Sequence, residues 1–169
     1  MSSWALHLLG SPRLERDGAA ILIQRRKVMA LLVYLAVTGK SHARDFLATL
    51  FWSEHDQSSA RAALRRTLSE LRNTLGGELL LVGQDAIGLQ PACDLWMDVN
   101  EFQEDLMAYR SHGHHPDDPC PNCITALTEA VSLYQGDFLA GFTLSNCPNF
   151  DNWQILQAEI LHRELIGAL

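Results

Sequence analysis

The sequence lacks the features that mark membrane proteins, secreted proteins and disulfide-rich domains. Its longest apolar stretches, such as residues 28–37, are too short to span a bilayer. The first ten residues contain neither a basic region nor a cleavage-site pattern, so we expect no signal peptide. The four cysteines are irregularly spaced and do not suggest a disulfide framework: Cys93, Cys120, Cys123 and Cys147. These absences predict a cytoplasmic protein whose cysteines stay reduced.

Motifs of the common enzyme classes are absent as well. The chain has no P-loop, no Gly-x-Ser-x-Gly sequence and no glycine-rich dinucleotide-binding motif. The adjacent carboxylates Asp117 and Asp118 are more simply explained as part of an exposed loop than as a catalytic pair. We therefore expect that the chain is not an enzyme.

Positive charge is scarce in the second half of the chain. Residues 93–169 contain 2 Lys and Arg against 12 Asp and Glu, whereas residues 1–92 contain 11 against 8. The halves therefore carry net charges of −10 and +3 within a whole-chain charge of −7. This asymmetry predicts two domains with different partners, at residues 1–92 and 93–169. Chance variation in surface charge is the alternative explanation.

The first half begins with a pattern of short strands and then changes to a helical period. Residues 13–23 form a predicted hairpin that turns at Asp17-Gly18, a favourable two-residue turn. Leucines at helical spacing then predict a first helix that stops at Gly39. A second short helix follows, with Ser41 as its expected N-cap.

The third predicted helix has the clearest apolar face in the sequence. It ends at Gly76-Gly77 and carries four leucines on one side: Leu64, Leu68, Leu71 and Leu75. Residues 78–82 and 86–90 predict a second hairpin after it. Strands, three helices and a terminal hairpin in this order are typical of a winged helix-turn-helix.

The second half predicts helices joined in series after a linker at residues 91–98. One helical face carries Val99, Phe102, Leu106 and Tyr109, a second carries Ile124, Leu127, Val131 and Tyr134, and a third carries Phe150, Trp153, Leu156 and Ile160. This arrangement is typical of an α-helical, tetratricopeptide-like repeat array. Because the third helix runs to Leu169 without a stop signal, we expect the natural chain to continue. A frayed terminal helix is the alternative.

The third helix also carries the candidate DNA-reading residues. In a winged helix this helix lies in the major groove, while flanking elements contact phosphates. With Leu64 facing the core, Arg66 and Asn73 point the opposite way and suit base edges. The candidates beside them suit phosphate or polar contacts: Arg61, Arg65, Arg72, Ser59 and Ser69. Four arginines against one glutamate favour DNA over a merely solvated face, and we expect residues 1–92 to bind DNA alone.

A second basic cluster opens the first helix. Arg25, Arg26 and Lys27 lie where positive charge opposes the helix dipole and gains nothing locally. Contact with DNA phosphates is a physical reason for this cluster. Simple exposure to solvent is the alternative.

Three segments of the first half, LLVYLAVTGK, ARDFLATLFW and ARAALRRTLSELRNTLGG, resemble the DNA-binding domain of the Streptomyces antibiotic regulatory protein family. That domain is similar to the winged-helix output domain of response regulators. The residues that carry the match are Leu31, Leu32, Leu35, Leu50, Trp52, Arg61, Leu64, Leu68, Leu71 and Arg72.

The second half, with DVNEF, AVSLYQGDFLAGF and NWQILQAEILHREL, resembles the start of the bacterial transcriptional activator domain that accompanies it. The most specific piece is the run from Tyr134 to Leu139. The resemblance implies a regulator that binds direct repeats in promoter DNA and assists RNA polymerase. The activator domain normally has more helices than fit before Leu169, so the chain departs from the family there.

A segment rich in histidine and cysteine, HGHHPDDPCPNC, lies between the first two helices of the second half. Two imidazoles and two thiolates, from His112, His114, Cys120 and Cys123, fit one tetrahedral zinc ion. All four ligands would be protein atoms, which predicts a structural role for the metal. His115 competes as a ligand, and free cysteines in a polar loop, or redox chemistry, are the alternatives.

The sequence supports two hypotheses for the function. The first is a sequence-specific DNA-binding transcriptional regulator, an activator that uses the third helix and the wing. The second is a protein–protein interaction module of a larger signalling regulator with no intrinsic affinity for DNA. Salt-dependent binding to DNA distinguishes them.

Overall fold

A computed structural model describes residues 2–91, 93–113, 115, 117–118 and 120–169. The elements in chain order are β1 (Trp4–His7), β2 (Arg13–Arg16), β3 (Ala19–Ile21), α1 (Arg26–Thr38), β4 (His42–Ala43), α2 (Arg44–Phe51), α3 (Gln57–Leu75), β5 (Leu80–Val82), β6 (Ala86–Leu89), β7 (Leu95–Met97), α4 (Asp98–Ser111), α5 (Pro121–Leu133) and α6 (Pro148–Ala168). No helix among the described residues is both long and apolar enough to cross a membrane.

The chain forms two compact units that alternate along the sequence. The winged-helix unit contains residues 22–94 and 143–153. The four-stranded unit contains residues 1–21, 95–142 and 154–169. The domain boundary predicted at residues 92–93 stays a prediction. Each compact unit combines segments that are distant in the chain, so the limits of the units do not follow chain order.

Three helices and a small sheet form the winged-helix unit. α1 is buried along most of its length and ends at Gly39, whose left-handed backbone (φ 66°) directs its N–H to the carbonyl of Leu35. Asp56 caps the start of α3, and its carboxylate accepts a 3.2 Å hydrogen bond from the N–H of Ser59. It ends at Gly76 (φ 67°). The four leucines predicted to face the core are all buried.

The sheet of this unit has the order β4-β6-β5 with antiparallel pairing. β5 and β6 form the predicted second hairpin, which is the wing. The predicted N-cap role of Ser41 is wrong, because α2 begins after Ala43 and has no side-chain cap among the described residues. Ser41 instead precedes β4 and lies against Gly88, where an added Cβ would approach the Ser41 Oγ to 2.6 Å. Pairing of β4 with β6 delays the helix start.

A sheet of order β3-β2-β1-β7 organises the four-stranded unit. β2 and β3 form the predicted hairpin, with positive φ angles at Asp17 (51°) and Gly18 (84°). The prediction of a plain linker at residues 91–98 is wrong, because it contains β7 and the first residue of α4. β7 pairs in parallel with β1, so its order depends on a partner about 90 residues away in the chain, which local sequence signals do not reveal.

Asp98 joins β1 to the start of α4. Its carboxylate accepts hydrogen bonds of 2.8 and 2.9 Å from the N–H of Leu8 and one of 2.9 Å from the N–H of Leu9. The side chain is buried, and burial raises the pKa of its carboxyl against the opposing effect of these hydrogen bonds. The strand end and the helix start are thereby held by one acceptor.

The helices of this unit bury only part of the predicted faces. Val99, Phe102 and Leu106 of α4 are buried as expected. On α5 the prediction is wrong at Ile124 and Val131, which are exposed, whereas Leu127 and Tyr134 are half-buried. The buried positions of α5 are Cys123 and Ala130.

The apolar face predicted for α6 is confirmed in its first turns, where the half-buried Trp153 ring lies 4.8 Å from the ring of Tyr34. Phe150 is buried, whereas Leu156 and Ile160 are exposed. Leu161 and Ala168 are the buried positions further along the described part of the helix. The apolar period therefore predicted the helix correctly. Over the later turns, the buried face lies one residue away from the predicted face.

Candidate nucleic-acid interface

The exposed face of α3 presents a row of arginines. Leucines at helical spacing bury the opposite face, so Arg65, Arg66 and Arg72 project outward and all three are exposed. None of them forms an ion pair within the part of the chain that the structure describes. Asn73 is exposed on the same helix. These side chains keep their charge and hydrogen-bonding capacity available to a ligand.

A groove separates α3 from the wing. It encloses about 230 Å³ and is lined by Arg44, Arg65, Leu68, Ser69, Arg72 and Val82. The predicted residues Arg65, Ser69 and Arg72 therefore lie on the wing side of α3. Arg66 and Asn73 are not among the residues that line it.

Arg44 is a candidate residue that sequence reasoning missed. It is the first residue of α2, and its guanidinium donates hydrogen bonds of 3.0 and 3.3 Å to the carbonyl of Gly83 in the wing turn. Its N–H also donates to the carbonyl of Asp85 at 3.1 Å. A cation in the first turn of a helix opposes the helix dipole. The argument that selected residues 25–27 as phosphate contacts therefore applies to Arg44 as well.

A larger concave surface of about 920 Å³ lies around the N-terminal half of α3. Its lining residues come from α3, from the start of α2 and from the wing turn: Ala43, Arg44, Asp45, Asp56, Gln57, Ser58, Arg61, Leu64, Arg65, Gln84 and Asp85. The surface therefore mixes both signs of charge. Ser59, a predicted contact residue, is exposed near it at the start of α3 but uses its N–H in the helix cap.

Arg61 is the one predicted arginine of α3 that already has a carboxylate partner. Its Nε and Nη2 donate to the two oxygens of Asp45 at 2.7 and 3.0 Å. The hydrogen bond from Arg61 lowers the pKa of the Asp45 carboxyl, and the reciprocal bond raises the pKa of Arg61. This pair links α2 to α3 across the larger concave surface.

The basic cluster at the start of α1 is engaged within the winged-helix unit. Arg25 forms a 2.7 Å ion pair with Glu70 of α3, and Arg26 donates to the carbonyl of Thr143 at 3.2 Å. The Nζ of Lys27 lies 5.0 Å from the centre of the Trp52 ring, a cation–π contact. Phosphate contact by these three residues stays a prediction.

Three of the four predicted zinc ligands can be placed, and they lie together. The Cys120 Sγ is 3.3 Å from the His112 Nδ1 and 3.4 Å from the Cys123 Sγ. Hydrogen bonds from backbone N–H groups, that of Cys123 first, lower the pKa of the Cys120 thiol, whereas burial raises that of Cys123. His114 lies outside the described residues. His115 is exposed and pairs with Asp117.

The remaining cysteines, Cys93 and Cys147, are free thiols. Cys147 is buried in the winged-helix unit, and its Sγ donates to the carbonyl of Phe51 at 3.2 Å. Burial raises the pKa of both thiols. Neither has the character of a reactive cysteine.

The sequence matches no protein-family model and no curated protein. Among solved structures, the chain is similar to Mycobacterium tuberculosis EmbR in complex with a low-affinity phosphopeptide, with a TM-score of 0.74 and 21% identity. The likeness covers 99% of this chain and 44% of the EmbR chain, so this chain spans less than half of that one. It confirms the predicted fold class: a mainly α-helical chain with small sheets, in which a winged helix-turn-helix is followed by further helices.

Proposed function

We propose that the chain is the DNA-binding part of a transcription regulator of the Streptomyces antibiotic regulatory protein type. The observation that carries the proposal is the row of Arg65, Arg66 and Arg72 on the exposed face of α3, without an ion-pair partner among the described residues. A helix of this kind beside a wing is the element that a winged helix-turn-helix inserts into the major groove. The likeness to EmbR supports the fold on which this reading depends.

Local charge on α3 outweighs the acidic character of the whole chain at the interface. The helix carries four arginines and one glutamate, and Glu70 is already paired with Arg25. DNA phosphates respond to the nearest charges, because exposed charges farther than about 10 Å are largely screened at moderate salt. A net charge of −7 therefore permits DNA binding and reduces non-specific attraction elsewhere on the surface.

The two sides of α3 have different proposed roles. Arg65 and Arg72 line the groove beside the wing together with Arg44, a position suited to the phosphates at the groove edge. Arg66 and Asn73 lie outside this groove and suit base edges, because guanidinium and amide groups form paired hydrogen bonds with guanine and adenine. Sequence preference then depends on Arg66 more than on Arg65.

The family resemblance extends the proposal to partners. It implies promoter DNA with direct repeats, self-association of the regulator on these repeats and assistance to RNA polymerase as an activator. We assign self-association and contact with RNA polymerase to the four-stranded unit, because its segments carry a net negative charge that is unsuited to DNA phosphate.

The proposal is tested by selecting bound sequences from random duplex DNA with the full chain, and then measuring affinity by fluorescence anisotropy across a salt series. Arg66→Ala is expected to change the selected sequence and to cost about 1–3 kcal/mol on the preferred site. Arg65→Ala is expected to weaken all sequences alike and to flatten the salt slope by about one unit. Arg163→Ala, an exposed arginine of α6, is the matched control and should change neither quantity.

Two outcomes would contradict the proposal. A folded full chain that binds no duplex at low salt would favour the protein-interaction module. Equal, sequence-independent losses from Arg65→Ala and Arg66→Ala would mean that the roles assigned to the two sides of α3 are wrong.

A further inference from the structure

Three soft ligand atoms converge where α4 ends and α5 begins. His112 is the C-cap residue of α4, Cys120 is the N-cap residue of α5, and Cys123 lies in its first turn. One nitrogen and two sulfurs from these residues all lie within 4.8 Å of one another. Their convergence does not follow from helix geometry alone, because His112 reaches Cys120 across an intervening loop.

Two of the three spacings among these atoms are close to those in a tetrahedral zinc shell, and the third, between His112 and Cys123, is within 4.8 Å. Zinc at about 2.3 Å from sulfur and about 2.0 Å from nitrogen, in tetrahedral geometry, separates two sulfurs by about 3.8 Å and sulfur from nitrogen by about 3.5 Å. The observed distances of 3.4 Å and 3.3 Å are within a few tenths of an ångström of these values. The sulfurs are too far apart for a disulfide, which needs about 2.05 Å.

The chemistry of the ligands favours a thiophilic transition-metal ion such as zinc. Thiolate and imidazole select zinc over magnesium and calcium, which take oxygen ligands. Asp117 and Asp118 lie in the same loop but are not members of the converging group. Cys123 is 4% exposed, so the cluster is shielded from solvent on one side and open on the other. This is expected for a structural metal site near the surface.

We propose that His112, Cys120 and Cys123 bind one zinc ion that ties the end of α4 to the start of α5. The ion is structural, and this inference does not depend on DNA binding. His114 stays the fourth ligand that the sequence predicts.

The test is the metal content of the full chain, purified without a polyhistidine tag and without added zinc. We expect about one zinc per chain, because sites with these ligands hold the ion strongly at neutral pH. Cys120→Ser/Cys123→Ser and His112→Ala should reduce the zinc content to background. Cys93→Ser and His115→Ala are the matched controls and should retain it.

A second measurement on the wild-type chain avoids dependence on variants that fail to fold. Zinc should slow alkylation of Cys120 and Cys123 at least tenfold, mapped by mass spectrometry, and leave Cys93 unaffected. Removal of the ion with a chelator should reverse this protection and lower the melting temperature.

Metal-free protein whose melting temperature and cysteine reactivity ignore added zinc would overturn the proposal. So would recovery of Cys120 and Cys123 as a disulfide that binds no zinc after reduction. The fourth ligand has its own outcome: His114→Ala should release zinc, and retention would show that the sequence prediction for His114 is wrong.

Discussion

Arg61 differs from the other arginines of α3 because its charge is matched inside the winged-helix unit. Asp45 accepts both of its hydrogen bonds and adds a negative charge to the larger concave surface, which Arg65 also lines. The pair is exposed, so it contributes little to stability. Its main effect is to reduce the positive field at the start of α3.

Replacing Asp45 with asparagine is therefore expected to strengthen DNA binding. Asp45→Asn removes one negative charge from the surface and releases Arg61 toward phosphate. We expect about a fivefold gain in affinity at low salt and a salt slope steeper by about one unit, measured by anisotropy.

The matched control is Glu159→Gln, which makes the same change of net charge on α6. It should alter affinity by less than twofold. An equal gain from both substitutions would show that net charge, and not release of Arg61, controls binding.

Some residues of the site were predictable from sequence and others were not. Arg65, Arg66 and Arg72 could be placed because α3 is long and its leucines define the buried side. The partner of Arg61 could not, because Asp45 belongs to another helix and only packing of α2 on α3 brings them together. Arg44 was missed because its contact with the wing joins residues 39 positions apart.

At the scale of one helix, α4 carries two aspartates in opposite situations. Asp98 accepts three backbone hydrogen bonds. The Oδ2 of Asp105 is buried without a hydrogen-bond partner among the described residues. The first should stabilise the four-stranded unit, and the second should destabilise it.

Asp98→Ala is expected to lower the free energy of unfolding by about 2–4 kcal/mol, because it leaves the buried N–H groups of Leu8 and Leu9 without an acceptor. Urea denaturation measures the change. Asp98→Asn keeps one acceptor oxygen and should lose less. A loss below about 0.5 kcal/mol for Asp98→Ala would contradict the role given to this carboxylate.

Asp105→Asn is expected to stabilise the protein at neutral pH. Burial raises the pKa of Asp105, and repulsion from Glu101, Glu129 and Glu104 raises it further. A carboxyl whose pKa is raised in the folded state contributes its full stability only below its ordinary pKa near 4. That stability is lost as the pH rises through the folded-state pKa. The advantage of the variant should therefore shrink as the pH falls toward about 4. Thermal melts at several pH values measure this difference, and a pH-independent one would contradict the assignment.

Elements with a strong period were predicted well, and elements formed by long-range pairing were not. α1 and α3 have apolar spacing and terminal glycines that specify their limits. β4 and β7 have two and three residues and form because distant strands are available. The inner face of α5 was misplaced because Cys123 and Ala130, rather than the larger Ile124, face inward.

At the scale of the whole molecule, the alternation of the two units changes the expectation that residues 1–92 bind DNA alone. Cutting there removes β7 and Asp98 from the four-stranded unit. It also removes residues 143–153 from the winged-helix unit, including Phe150, whose ring lies 5.4 Å from that of Phe51.

We therefore expect the 1–92 fragment to show no cooperative thermal transition in circular dichroism. We also expect it to bind DNA at least tenfold more weakly than the full chain. The full chain, treated in parallel, is the control and should melt cooperatively. A fragment that melts cooperatively and binds DNA like the full chain would show that residues 1–92 fold independently.

The parallel pairing of β1 with β7 also has a consequence for how the protein is made. Residues 4–7 are synthesised about 90 residues before β7, and Leu9 pairs with Phe138, which follows later still. β1 can pair with β2 as soon as residues 13–16 are synthesised, but its other edge stays unpaired until residues 95–97 follow. We expect β1, which is synthesised before its partner strands, to be among the last strands to complete its pairing.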